Sequence, residues 1–107
     1  MRERTRPPAH PGAILKRHYL KPLHLTVSDA ASGLKVSRKT ISKLVNERGS
    51  VTPDMALRLS RAFGTSPELW LNLQQSYDLW RVSHESRAWE RARVFMEHSR
   101  LLASNSA

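Results

Sequence analysis

The chain has 107 residues, enough for one small domain with extensions, and carries 18 Lys and Arg against 9 Asp and Glu, a net charge of +9. It has no cysteine, so disulfides and thiol chemistry are excluded, and no apolar run nears the ~18 residues of a membrane span. The basic N-terminus is followed by no signal-peptide core, so a cytoplasmic protein is expected.

The charge is unevenly spread. Residues 1–48 hold eleven bases and three acids, whereas residues 49–80 hold two bases and three acids. A positive field gathered in one half suits a polyanion. Residues 1–9, with Arg2, Arg4, Arg6 and two prolines but no apolar periodicity, predict a flexible basic arm. Such an arm is either a solvated tail or an arginine probe of a minor groove.

A domain over 10–80 follows. Pro11 suits the first turn of a helix, where its missing N–H is harmless, and Ile14, Leu15, Tyr19 and Leu20 give an apolar face over about 11–20. Thr26 predicts the cap of a second helix, with Asp29 in a capping-box relation and Ala30, Ala31 and Leu34 facing inward. Ser37 predicts the cap of a third, over about 38–46, whose apolar stripe is Ile41, Leu44 and Val45. Outside that stripe, Ser37, Arg38, Lys39, Thr40, Ser42, Lys43 and Asn46 offer only cations and neutral hydrogen-bonding groups. No acid interrupts them. That set suits base edges and phosphates in a major groove, and Arg48 is a candidate contact to the phosphate backbone.

Thr52-Pro53-Asp54 and Ser66-Pro67-Glu68 each combine a hydroxyl cap, a proline and a first-turn acid, so they start two more helices. The fourth buries Met55, Ala56, Leu59, Ala62 and Phe63, closes on Gly64, and carries an Asp54–Arg58 pair worth a few tenths of a kcal/mol. The fifth carries Leu69, Trp70, Leu73, Tyr77 and Trp80. That is more apolar surface than one small domain hides, so Trp70, Tyr77, Trp80 and Trp89 are candidates for a homodimer interface, with core burial as the competing reading. Across 81–107, Ala88, Trp89, Ala92, Phe95, Met96 and Leu102 predict a sixth, amphipathic helix over 83–103 and a frayed tail.

The architecture is therefore all-α, and catalysis is not expected. Five histidines without cysteine form no metal-ligand spacing, no Gly-rich phosphate loop occurs, and the acids read as caps and ion-pair partners. Neither a metal nor a cofactor is called for. A dimer would set two reading helices ~34–36 Å apart on double-stranded operator DNA of palindromic sequence.

Residues 27–46 resemble the helix-turn-helix of the Cro/repressor-like superfamily. The opening His10-Pro11-Gly12-Ala13-Ile14-Leu15, with Ser37 to Asn46, Thr52 to Leu59 and Thr65 to Gln74, looks like HigA-type antitoxins. The resemblance implies a five-helix lambda-repressor-like domain, with the predicted sixth helix as an addition. It also implies repression of the chain's own operon and neutralisation of a HigB-like ribonuclease toxin that cuts translated mRNA, engaged on folded surface around His10 to Lys21. Two residues depart from the family pattern. Val27 stands where many relatives have a phosphate-gripping glutamine, so Thr26, Ser28 or backbone N–H groups at the helix start would have to serve as DNA-backbone contacts. Lys35 stands where many have glycine in a turn expected to be left-handed. Lysine there should cost ~1–2 kcal/mol, and Gly33 offers the turn another way to close. Two other readings stay open: a stand-alone helix-turn-helix regulator without a toxin, and a basic scaffold for RNA or other polyanions. Few aromatics sit among the basic residues, which argues against base-stacking RNA recognition.

Overall fold

The computed structural model describes residues 6–96, and no strand occurs among them. Five helices follow in order, matching the all-α architecture expected. Helix α1 (Pro11–Leu15) widens into a π-helical turn (Lys16–Leu20), where the Lys21 N–H reaches back to the Lys16 carbonyl at 3.0 Å. It is followed by α2 (Val27–Leu34), α3 (Arg38–Val45), α4 (Pro53–Phe63) and α5 (Pro67–Glu85).

Local chemistry sets the helix starts. Thr26, Ser37, Thr52 and Ser66 each accept from the backbone N–H three residues on, at 3.0, 3.1, 3.2 and 3.1 Å. Pro11, Pro53 and Pro67 occupy first turns, where no N–H is needed.

The helix ends hold a less obvious feature. His24, Lys35 and Glu47 all adopt left-handed backbone, with φ of 55°, 60° and 61°. After each, the next N–H closes a six-residue loop: Leu25 to Leu20 at 2.9 Å, Val36 to Ala31 at 3.1 Å and Arg48 to Lys43 at 2.8 Å. Lys35 thus takes the strained, left-handed position that the family resemblance implied. Gly33 does not relieve it, staying within α2. Arg58 supports this turn from α4: its Nη1 donates to the carbonyls of Leu34 at 2.9 Å and Lys35 at 3.1 Å, while its Nε donates to Asp54 at 2.7 Å. The Asp54–Arg58 pair therefore holds a guanidinium against the negative end of α2.

The core lies where α2 and α3 pack on each other, α4 packs on α5, and α1 bridges α3 and α5. Leu15, Ile41, Leu59 and Trp70 have no exposed surface. Trp70 corrects the interface expectation. Its indole N–H donates to Thr65 Oγ1 at 2.7 Å, its ring lies 5.5 Å from Tyr19, and nothing of it remains for a second chain.

At the C-terminal end α5 runs unbroken past residue 80, where a domain boundary was expected, and stops at Ser86. The predicted sixth helix does not form between Ser86 and Met96. That stretch holds a short 3₁₀ turn (Ala88–Arg91) braced by Arg87 and Glu90, and then extended chain. Trp89, Val94, Phe95 and Met96 are exposed, so the apolar stripe finds no surface to stabilise a helix. The rest of that prediction, from residue 97, lies outside the described residues, as do residues 1–5 of the basic arm. The arm's described end enters the fold at Pro8, which is half-buried near Tyr77 and Trp80.

Candidate nucleic-acid interface

Helix α3 owes its orientation to groups on its inner side and at its ends. Ile41 and Leu44 are buried, and Ser37 caps the first turn while its hydroxyl also meets Thr40 Oγ1 at 2.8 Å. Gly12 of α1 touches the other end so closely that a Cβ on it would lie 1.7 Å from the Leu44 carbonyl oxygen.

The outward face of α3 carries cations. Arg38, Lys39 and Lys43 on α3, and Arg48 in the following loop, are exposed. None has a carboxylate partner among the described residues, where the ion pairs are Arg58–Asp54, Arg81–Glu85 and Arg87–Glu90. Thr40 is exposed beside them, whereas Ser42 is half-buried. Asn46 is exposed, yet its amide Nδ2 folds back onto the Ser42 carbonyl at 2.8 Å, so the carbonyl end of its side chain remains for an outside partner.

Thr26 and Ser28 lie exposed at the start of α2. The Thr26 N–H donates to Asp29 Oδ2 at 2.9 Å, and the Asp29 N–H donates to the Thr26 hydroxyl at 3.0 Å. The Thr26 backbone N–H, then its hydroxyl, hold the Asp29 carboxyl below its usual range. A fixed carboxylate at this helix start weakens it as a phosphate seat relative to α3.

Among the tryptophan and tyrosine candidates, Tyr77 and Trp80 are half-buried and Trp89 is exposed. Tyr77 packs on the His10 ring at 4.8 Å, and Trp80 stacks on His84 at 4.4 Å. In the segment from His10 to Lys21, His10 is buried and turned inward, leaving Lys16, Arg17, His18 and Lys21 exposed.

Sequence reasoning missed three residues that frame this surface: His10 as a cap, Gly12 as a contact point, and Gln74. Gln74 is buried within the Trp70–Tyr77 stripe of α5, and an amide in an otherwise apolar stripe was the available signal.

Residues 16–70 match the helix-turn-helix family. The chain belongs to that family, in its Cro/C1-type branch. A relative of this helix-turn-helix protein, an uncharacterized HTH-type transcriptional regulator of Haemophilus influenzae, is 46% identical over 83 residues, 78% of each chain. Antitoxin HigA-1 of Vibrio cholerae is 40% identical over 80 residues, 75% of each chain. The structure of antitoxin GraA in complex with its operator is similar at a TM-score of 0.79 and 33% identity, covering 91% of this chain and 99% of that one. The fold is thus lambda-repressor-like, shared with helix-turn-helix antitoxins. No described helix is long and apolar enough to cross a membrane.

Proposed function

We propose that the chain is an operator-binding antitoxin that represses its own operon as a homodimer and neutralises an mRNA-cleaving, HigB-like toxin. The observation that carries the DNA half is the exposed face of α3, with Arg38, Lys39 and Lys43 in no ion pair among the described residues. Cations left unpaired by the fold are available to phosphates and guanine edges, at ~1–3 kcal/mol of discrimination per good bidentate base contact. The similarity to GraA, solved with its operator, and to HigA-1 supports the antitoxin half. The role is one of binding, with no catalytic step assigned to this chain.

A stand-alone regulator is the second reading, favoured by the relative in Haemophilus influenzae described only as a transcriptional regulator. Footprinting on the chain's own promoter tests the shared part. Arg38→Ala with Lys39→Ala should abolish operator preference at an unchanged melting temperature, and an unchanged footprint would remove α3 from the interface. Co-expression with the neighbouring reading frame separates the two readings. Recovery of a complex that blocks mRNA cleavage supports the antitoxin, and a soluble neighbour that neither binds nor cleaves leaves the regulator.

A further inference from the structure

The loop after α3, residues 46–51, is held by two side chains from distant parts of the chain. His10, buried at the start of α1, accepts the Gly12 N–H on Nδ1 at 2.9 Å. Its Nε2 is therefore the nitrogen that carries hydrogen, and it lies 3.0 Å from the Gly49 carbonyl, 39 residues away. Gln74, buried on α5, accepts the Val51 N–H on Oε1 at 2.8 Å and donates from Nε2 to Asp78 at 3.0 Å. Tyr77, one residue before Asp78, packs its ring against the His10 imidazole at an interplanar angle of 78°. Val51 itself is buried.

Between the α3 end and these ties stands Arg48. It is exposed, without a carboxylate partner among the described residues, and its own N–H is fixed to the Lys43 carbonyl at 2.8 Å. Glu47 beside it is in left-handed backbone, a conformation a free loop would leave. A guanidinium on a mobile loop loses conformational freedom when it meets a phosphate, whereas one on a fixed loop has lost part of it already.

We infer that His10 and Gln74 are positioning residues for DNA binding: they fix the 46–51 loop so that Arg48 is presented to the phosphate backbone next to α3. The inference rests on the operator-binding reading above and adds the residues that set the geometry of that contact.

The test is a double-mutant cycle on the salt dependence of operator binding. Each phosphate neutralised contributes about −0.9 to the slope of log K against log salt. A homodimer carries two copies of Arg48, so Arg48→Ala should make the slope shallower by about 1.8. His10→Asn keeps an oxygen able to cap Gly12 but is too short to reach Gly49. It should make the slope shallower by a similar amount, and adding Arg48→Ala to it should change nothing more. Gln74→Leu breaks the second tie, and the paired change Gln74→Glu with Asp78→Asn restores an acceptor for Val51 and a donor between the two side chains. That pair should recover the wild-type slope where Gln74→Leu does not. A merely structural role lowers the melting temperature without coupling to Arg48. Full additivity of Arg48→Ala with His10→Asn and with Gln74→Leu, in variants folded at the assay temperature, overturns the inference. A flat salt response in the wild-type chain overturns the operator reading itself.

Discussion

Replacing Gly12 by alanine and replacing Gly33 by alanine are the same chemical change, and the structure gives them opposite signs. At Gly12 the added Cβ would stand 1.7 Å from the Leu44 carbonyl oxygen and 2.6 Å from its carbon, with His10 Nδ1 at 3.1 Å. Comfortable non-bonded separation is about 3.5 Å, so α1 and the end of α3 must part by roughly 1.5–2 Å. Backbone cannot rotate aside as a side chain can. Moving α1 loosens Leu15, which is fully buried, and strains both hydrogen bonds of His10. Overpacking usually costs about 1–3 kcal/mol, and a clash with main chain belongs at the upper end. For a domain near this size, each kcal/mol moves the melting temperature by roughly 4–8 °C, so Gly12→Ala should lower it by about 10–20 °C. At Gly33 a Cβ meets nothing within 4 Å and the backbone is helical. Alanine there should stabilise by ~0.5–1 kcal/mol, raising the melting temperature by a few degrees. Thermal unfolding followed by far-ultraviolet circular dichroism reads both. If Gly12→Ala melts within about 2 °C of wild type, the close α1–α3 approach described above is wrong.

Lys35→Gly removes a strained left-handed lysine but adds chain entropy, and should stabilise by a net ~0.5–1 kcal/mol in urea titrations; a destabilised variant would mean the lysine side chain compensates for its backbone. Arg58→Met should cost more than Asp54→Asn in the same titration. An exposed ion pair alone is worth ~0.3–0.5 kcal/mol, whereas Arg58 also holds the carbonyls at the end of α2, about 1 kcal/mol more. Equal effects would reduce Arg58 to its pairing with Asp54. The Asp29 carboxyl is held low by Thr26, so its stabilising effect is present above its unfolded value near 3.9 and is lost as pH falls through the lower folded value. Melting temperature against pH should accordingly fall less steeply below about pH 4 in Asp29→Asn than in wild type; parallel curves would contradict the capping box.

Helix starts were legible because they are local: a hydroxyl, a proline and an acid within four residues decide where Pro53 and Pro67 begin their helices. The left-handed Lys35 was expected on other grounds, from the resemblance to a family in which many relatives place glycine there. Trp70 was not legible, because periodicity places an aromatic on a face without saying whether that face turns toward α1 and α4 or toward a second chain. The missing sixth helix between Ser86 and Met96 has a related cause. Spacing of Trp89, Ala92, Phe95 and Met96 describes an amphipathic helix, but such a helix depends on a surface to pack on, and Trp89, Phe95 and Met96 stay exposed among the described residues. His10 and Gln74 were hidden for the opposite reason. Each holds a backbone group far along the chain, the Gly49 carbonyl for His10 and the Val51 N–H for Gln74, so even the amide inside the apolar stripe of α5 marks Gln74 as unusual without naming its partner.

These placements divide the residues around α3 into two sets with separable consequences. Arg38, Lys39 and Lys43 face outward and make no described ion pair, so the fold spends nothing on them and loses nothing when they go. His10, Gly12 and Gln74 touch the helix or its following loop through backbone groups that would otherwise be buried without partners or overlapped. An unsatisfied buried group costs ~1–3 kcal/mol, a large share of a small domain's stability. Substitutions in the outward set should therefore change DNA affinity at constant melting temperature, and substitutions in the inner set should lower both. A cation on the outer face whose loss destabilised the free protein by more than ~0.5 kcal/mol would show that the reading surface is also a structural one, and the separation would fail there.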